Sequence, residues 1–236
     1  MSQEFSTTCW TVILDAAKTD ASASRPALEV LCRQYWEPLY AYARGCGKNH
    51  PDAEDTTQSF FAHLLGTNLP GRAAPERGRF RSFLLTSLKN FMVSEHKSAS
   101  TQKRGGASPA PIALEDAPKN ASALQTSETP ATAYDRKWAH TVINLALDQL
   151  AADQAQLGQA ARFAVLRPLL LDPTRGSDRH THALESLGIT DGALRTAMSR
   201  LRTDFRSLVR QEVARLVDDP SEIDDEISYL LRAMQA

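Results

Sequence analysis

The chain has 236 residues, room for two domains of ordinary size, and 42% of them are hydrophobic, enough for real cores. Its 27 Lys and Arg nearly balance 28 Asp and Glu, for a formal net charge of −1, which excludes a coat of positive charge over the whole surface. Any contact with nucleic acid must come from local basic patches that acidic segments cancel elsewhere.

Cys9, Cys32 and Cys46 form no Cys-x-x-Cys pair, which argues against a disulfide framework and for a reducing cytoplasm. Cys46 and His50 are spaced like half a zinc site, but no second pair follows, so neither a metal nor another cofactor is expected. MSQEFSTTCW lacks the basic start and apolar core of a leader, and FAVLRPLLL is cut by Arg167 and Pro168. The expectation is a cytoplasmic protein with no membrane partner.

In chain order, Thr7 or Thr8 can cap a short amphipathic helix carrying Trp10, Val12, Ile13, Leu14 and Ala17. Over residues 25–44, Leu28, Leu31, Cys32, Tyr35, Trp36, Leu39, Tyr40 and Ala43 recur at helical spacing, with Pro38 expected to bend or interrupt the helix. The run YWEPLYAY could stack on bases, but aromatics at steps of three and four also suit a core.

Residues 52–65, DAEDTTQSFFAHLL, place Ala53, Thr57, Phe60, Phe61 and Leu64 on one stripe, expected to be buried. Asp55, Gln58, Ser59 and Ala62, with Asp52 at the edge, form an opposite polar face suited to a partner's basic residues. Pro51 followed by acidic residues is equally what any helix start favours, so spacing alone leaves both readings open. A second helix over 81–97 buries Leu84, Leu85, Leu88, Phe91 and Met92 and turns out Ser82, Thr86, Lys89, Asn90 and Lys97, with Phe83 at the margin. Between Arg72 and Arg104 eight basic residues face only Glu76 and Glu95, a patch that attracts phosphate and beside which Phe80 or Phe83 could stack on an unpaired base. A solvated basic face with core phenylalanines is the competing account.

Residues 98–133 are rich in Ser, Ala, Thr, Pro and Gly and poor in large apolar groups, and read as a flexible linker. As a coil such a segment spans on the order of 30 Å. Helical periodicity resumes over 134–150 with Trp138, Val142, Ile143, Leu145, Ala146 and Leu150. A helix over 156–171 follows, with Leu157, Ala161, Phe163, Ala164, Leu166 and Leu169 as apolar members and Pro168 in its last turn; LDPTRGSDR is a loop by composition. Next come a helix to Leu187, a turn at Gly188, a cap at Thr190 and a long helix that buries Leu194, Ala197, Met198, Leu201, Phe205 and Leu208. Its other side gathers Arg195, Thr196, Ser199, Arg202, Thr203, Arg206 and Arg210, a composition that the major groove accepts, although an exposed amphipathic helix also fits.

The tail from Leu216 sets six acidic residues against Arg232, with a capping-box-like start at Ser221 and Asp224 and a stripe of Ile223, Ile227, Leu230, Leu231 and Met234. It either completes the second domain's core or also shields a basic DNA-reading surface with its acidic face.

DAEDTTQSFFAHLL followed by FRSFLLTSLKNFMVSEHK resembles region 2 of an extracytoplasmic-function sigma factor of the sigma-70 family, and LGITDGALRTAMSRLRTDFRSLV resembles that family's region 4. The two stand in the family's order and cover most of residues 5–215 outside the linker. The resemblance implies an all-α chain of two small helical domains on a flexible linker: 1–97 like region 2, 98–133 linker, 134–217 like region 4 with its helix-turn-helix, and 218–236 an acidic C-terminal helix. It implies no enzyme but a subunit that docks on RNA polymerase core, at the clamp helices and upstream flap, and directs it to promoter DNA. An anti-sigma or other regulatory protein is a further candidate partner. Asp52, Asp55 and Gln58 match the clamp-docking positions, with Phe61 beside them. The minus-ten set is Arg77, Arg79, Phe80, Arg81, Phe83, Lys89, Asn90 and Lys97, where Asn90 matches the Asn of the usual ARN step. The minus-thirty-five set is Arg195, Thr196, Ser199, Arg202, Arg206 and Arg210. His180, His182 and Leu184 depart from the family's usual Tyr, Glu and small Ala. A stand-alone helix-turn-helix regulator is the main rival, but it leaves the acidic helix idle. A hydrolase using Cys46, His50, His63 or His96 lacks a phosphate loop, a nucleophile elbow or a paired metal motif.

Overall fold

Periodicity of three and four residues becomes eight α-helices, with no strand among the described residues, which in the computed structural model are 21–66, 79–103, 128–171, 178–217 and 219–235. The helices are α1 (Ala21–Gly45), α2 (His50–Gly66), α3 (Phe80–Lys103), α4 (Pro130–Gln156), α5 (Ala160–Leu171), α6 (Asp178–Leu187), α7 (Asp191–Ala214) and, after a 3-10 turn at Pro220–Glu222, α8 (Ile223–Gln235). They fall into two compact units, Met1–Thr141 with Ala214–Ala236, and Val142–Val213. The expected helix over 10–17 and most of the expected linker lie outside the described residues.

The first unit is built on α1, α2 and α3. Leu31, Tyr35, Leu39 and Ala43 of α1, Ala53, Phe60 and Leu64 of α2, and Phe80, Leu84 and Leu88 of α3 are buried. Edge-on contact of Tyr35 with Phe80 (ring centroids 5.3 Å apart) and of Phe60 with Phe91 (5.7 Å) fastens the helices together. Thr57 tolerates full burial because its hydroxyl donates to the Ala53 carbonyl at 2.7 Å. Of the two outcomes expected of Pro38, interruption does not occur: α1 runs on through it. An internal proline costs about 3 kcal/mol, whereas Tyr35 and Leu39, both 0% exposed, each bring about 2–3 kcal/mol of burial on the same stripe.

Helix ends depart most from the sequence reading. α3 continues to Lys103 rather than stopping at Lys97, and α4 begins at Pro130 rather than Tyr134 and runs to Gln156. Gly158, at φ +70°, ends that run, its N–H donating to Ala155 O at 2.9 Å, so α5 starts only at Ala160 and Leu157 is left 67% exposed instead of joining the core. Pro168 is carried inside α5.

The second unit packs Leu147 and Leu150 of α4, Phe163, Leu166, Leu169 and Leu170 of α5, Ala183 of α6, and Leu194, Met198 and Leu201 of α7 into one core. α6 and α7 are joined as a helix-turn-helix. Gly188 takes φ +60°, a conformation that L side chains rarely adopt, while Ile189 N–H donates to Leu184 O at 3.2 Å. Thr190 then caps α7 by accepting from Ala193 N–H at 3.3 Å.

The C-terminal segment belongs with the first unit and so does not complete the second domain's core, as its place in the sequence suggested. The cap before it is Asp219, whose carboxylate accepts from Ser221 N–H at 2.8 Å and is held below its ordinary pKa by that bond, not Ser221 as expected. Leu231 is 53% exposed, and in its stead Glu226 lies on the buried side with Ile223, Leu230 and Ala233.

Candidate functional site

α2 separates its residues cleanly. Asp52, Asp55, Gln58, Ser59 and Ala62 are exposed, whereas Ala53, Thr57, Phe60 and Leu64 are buried. Asn49, not singled out in the sequence, starts the helix by accepting from Asp52 N–H at 2.9 Å. Phe61 does not share the polar face. It is 6% exposed and stacks on Trp36 at 5.8 Å with planes 7° apart, so it is a core residue in this structure.

Along α3, Lys89 and Asn90 are exposed, and Phe83 and Lys97 are half-buried. Lys89 Nζ lies 5.6 Å from the Tyr42 ring centroid, a cation–π distance. Phe80 is fully buried against Tyr35, so its ring does not offer a stacking surface for a base here. Arg77 lies outside the described residues.

Arg79 and Arg81, expected on the open basic patch, turn inward toward carboxylates. Arg81 Nε donates to Glu226 Oε1 at 2.7 Å and its Nη1 to Asp135 Oδ1 at 3.0 Å. Its guanidinium lies 3.9 Å from the Tyr229 ring centroid and 5.2 Å from that of Trp138. Tyr229 OH donates to the other Asp135 oxygen at 2.6 Å, and Tyr134 OH donates to the Arg81 carbonyl at 3.0 Å. Arg79 Nη1 approaches Glu226 Oε2 at 2.6 Å, an ion pair without hydrogen-bond alignment. Burial pulls the Arg81 pKa down, but hydrogen bonding and charge attraction from Glu226, joined by Asp135 and Tyr229, hold it above its ordinary value. Two cations thus meet two carboxylates, and the basic surplus around the head of α3 is locally cancelled.

The sequence carried a signal for this cluster. Glu226 follows Ile223 by three positions and precedes Leu230 by four, so it falls on the tail's apolar stripe, where a carboxylate must find a partner. Asp135 precedes Trp138 by three and shares its face.

On α7 the outer side is open. Arg195, Thr196, Ser199, Arg206 and Arg210 are exposed, and Arg202 is half-buried with Nη2 3.4 Å from the Leu169 carbonyl. Arg195 Nη2 pairs with Asp191 Oδ2 at 3.0 Å, one turn earlier, and Thr196 Oγ1 donates to Gly192 O at 3.0 Å. His180 of α6 ties to the same Asp191 through Nε2 at 3.0 Å. Cations spaced along one solvent-facing side can meet consecutive phosphates, while Arg195, Thr196 and Ser199 near the N-terminal end can reach base edges.

Two of the residues weighed for hydrolysis have other surroundings. Burial raises the Cys46 thiol above its ordinary pKa, although the Tyr42 hydrogen bond and the charges of Lys89 and Lys48 lower it, so it stays protonated and weakly nucleophilic. His50 Nδ1 instead meets Tyr40 OH at 2.8 Å. No group of three His, Cys, Asp or Glu placed to hold a metal, and no helix long and apolar enough to cross a membrane, occurs among the described residues. Comparison with models of known families, with characterised proteins and with solved structures gives no match.

Proposed function

We propose that the chain is an RNA polymerase sigma factor of the extracytoplasmic-function type, which docks on core polymerase and directs it to promoter DNA. The carrying observation is α2: Asp52, Asp55 and Gln58 lie open to solvent while the opposite stripe is fully committed to the core. None of these three side chains packs into the core of the unit, and an acidic face of this kind suits the basic surface of a partner. In this reading the clamp helices of polymerase meet that face. Lys89, Asn90 and Lys97 of α3 serve the opened minus-ten strand, with Phe83 for base stacking. The helix-turn-helix of α6 and α7 lays Arg195, Thr196 and Ser199 into the major groove of the minus-thirty-five duplex, where Arg202, Arg206 and Arg210 hold phosphates and the unit meets the upstream flap.

The test is direct. Purified chain mixed with polymerase core should co-elute in gel filtration at low salt, separate as salt screens the acidic contact, and confer start-specific transcription. Binding to promoter DNA without core association would instead make it a stand-alone helix-turn-helix regulator.

A further inference from the structure

The geometry points to α8 as an autoinhibitory latch, in which Glu226 occupies, in the place of a nucleic-acid phosphate, the Arg79 and Arg81 pair at the head of α3. The inference rests on the reading of α3 as the strand-facing helix, and adds that α8 must leave before those arginines meet DNA.

The first support is chemical mimicry. A guanidinium binds carboxylate and phosphate oxygens with the same planar donors, so whatever seats Glu226 between two arginines also seats a phosphate. Glu226 is 1% exposed, on the side of a helix where an apolar residue would hold the contact as well or better. A contact held by an anion can be exchanged for another anion, which an apolar contact cannot.

The second support is that the closed arrangement carries built-in costs. The Arg79 to Glu226 approach lacks hydrogen-bond alignment, so the closed contact is not an optimal one. Removing α8 strips the Tyr229 ring from Arg81 and Glu226 from both arginines, while Asp135 of α4 remains with Arg81. Arg79 is therefore the larger gain. Meanwhile Asp224 and Asp225, exposed on the outer side of the docked helix, repel an approaching strand.

The third support is the tether. Only a few residues separate the end of α7 at Ala214 from α8 at Ile223, so a released helix stays tied to the chain and rebinding is intramolecular.

The experiment uses the full chain without polymerase and a fluorescein-labelled single-stranded DNA of mixed sequence at low salt. If the open form is about a tenth of the population, Glu226→Gln and a chain ending at Val217 should each bind about tenfold more tightly than the unaltered chain. Arg79→Ala in the shortened chain should remove most of that gain. Adding DNA to the unaltered chain should accelerate hydrogen exchange in 223–235. Folded variants that bind no more tightly, the absence of DNA binding by any form, or DNA binding with α8 amides still protected would each overturn the latch. Exchange on the unaltered chain keeps the test decisive even where a variant does not fold. Core association, followed separately by gel filtration, reports on the sigma reading alone: the latch can fail with polymerase docking intact, and polymerase docking can fail with the latch intact.

Discussion

Arg81 Nε and Glu226 Oε1 meet at 2.7 Å although 145 positions separate them in sequence. That bond joins the tail to the start of the helix expected to face an opened strand, and it is flanked by Asp135, which takes Arg81 on one oxygen and Tyr229 on the other. Burying a charge against so many partners fixes one docking position for α8, because any slip leaves a carboxylate or guanidinium without its counter-charge.

Arg81→Ala should detach α8 rather than strain it. Among the described residues, the substitution leaves Asp135 with only the Tyr229 hydroxyl and Glu226 with only the poorly aligned Arg79, and breaking a buried pair costs about 3–5 kcal/mol if nothing else moves. A helix of 13 residues, seated by Ile223, Leu230 and Ala233, has little reserve against such a cost, and short helices are marginal when unsupported. The expected result is fast hydrogen exchange over 223–235 with protection retained in α1 and α2. Protection unchanged in α8 would show that apolar packing, not the ion pair, seats it.

Alkali should loosen the first unit through its tyrosines. Burial, reinforced by Cys46, raises Tyr42; burial raises Tyr134, opposed by Arg81; and burial followed by the bond to Asp135 raises Tyr229. Each holds its proton more tightly folded than unfolded, so the contribution is fully present below about pH 10 and is lost as pH rises from there toward the raised values. Urea titrations should show stability falling above about pH 10, and absorbance at the phenolate band should rise with unfolding rather than before it. Tyr229→Phe should make that fall shallower.

How much of this was legible in the chain follows from what periodicity can carry. The buried stripes of α2, α3 and α7 are set by local steps of three and four, and Ala53, Phe60, Leu84, Leu88, Leu194 and Met198 lie where that spacing puts them. Helix ends are set by single residues and by tertiary support. Gly158 let α4 run on to Gln156, past the expected end at Leu150, and delayed α5 to Ala160, and Pro38 failed to interrupt α1 because the core around it outweighs its cost. Arg79, Arg81 and Phe80 were legible as a basic aromatic stretch, but the pairing of both arginines depends on a tail more than a hundred positions away, which no local window contains, and Phe80 goes under Tyr35 of α1.

Asp55→Arg should weaken association with polymerase core by about tenfold or more while leaving the fold unchanged. The residue is exposed, on the side of α2 away from Phe60 and Leu64, so its replacement disturbs no packing. Gel filtration against core at two salt concentrations measures the first effect, and circular dichroism with thermal unfolding the second. Equal affinity in both proteins, with the fold intact, would remove α2 from the docking surface.

Arg195→Ala separates recognition from stability on the second unit. Its ion pair with Asp191 is exposed at both ends, 60% and 51%, and an exposed pair one helical turn apart contributes only about 0.3–0.5 kcal/mol, so thermal unfolding should hardly move. A guanidinium reading a base edge is worth about 1–3 kcal/mol, or roughly 5- to 150-fold in affinity for the preferred site over a scrambled one. Replacing Arg206, which lies farther along the same outer side of α7, should instead weaken preferred and scrambled duplexes alike and flatten the salt dependence. Fluorescence anisotropy with both duplexes distinguishes the two roles: if Arg195→Ala lowers both affinities equally, Arg195 is a phosphate contact and the base-reading end of α7 lies elsewhere.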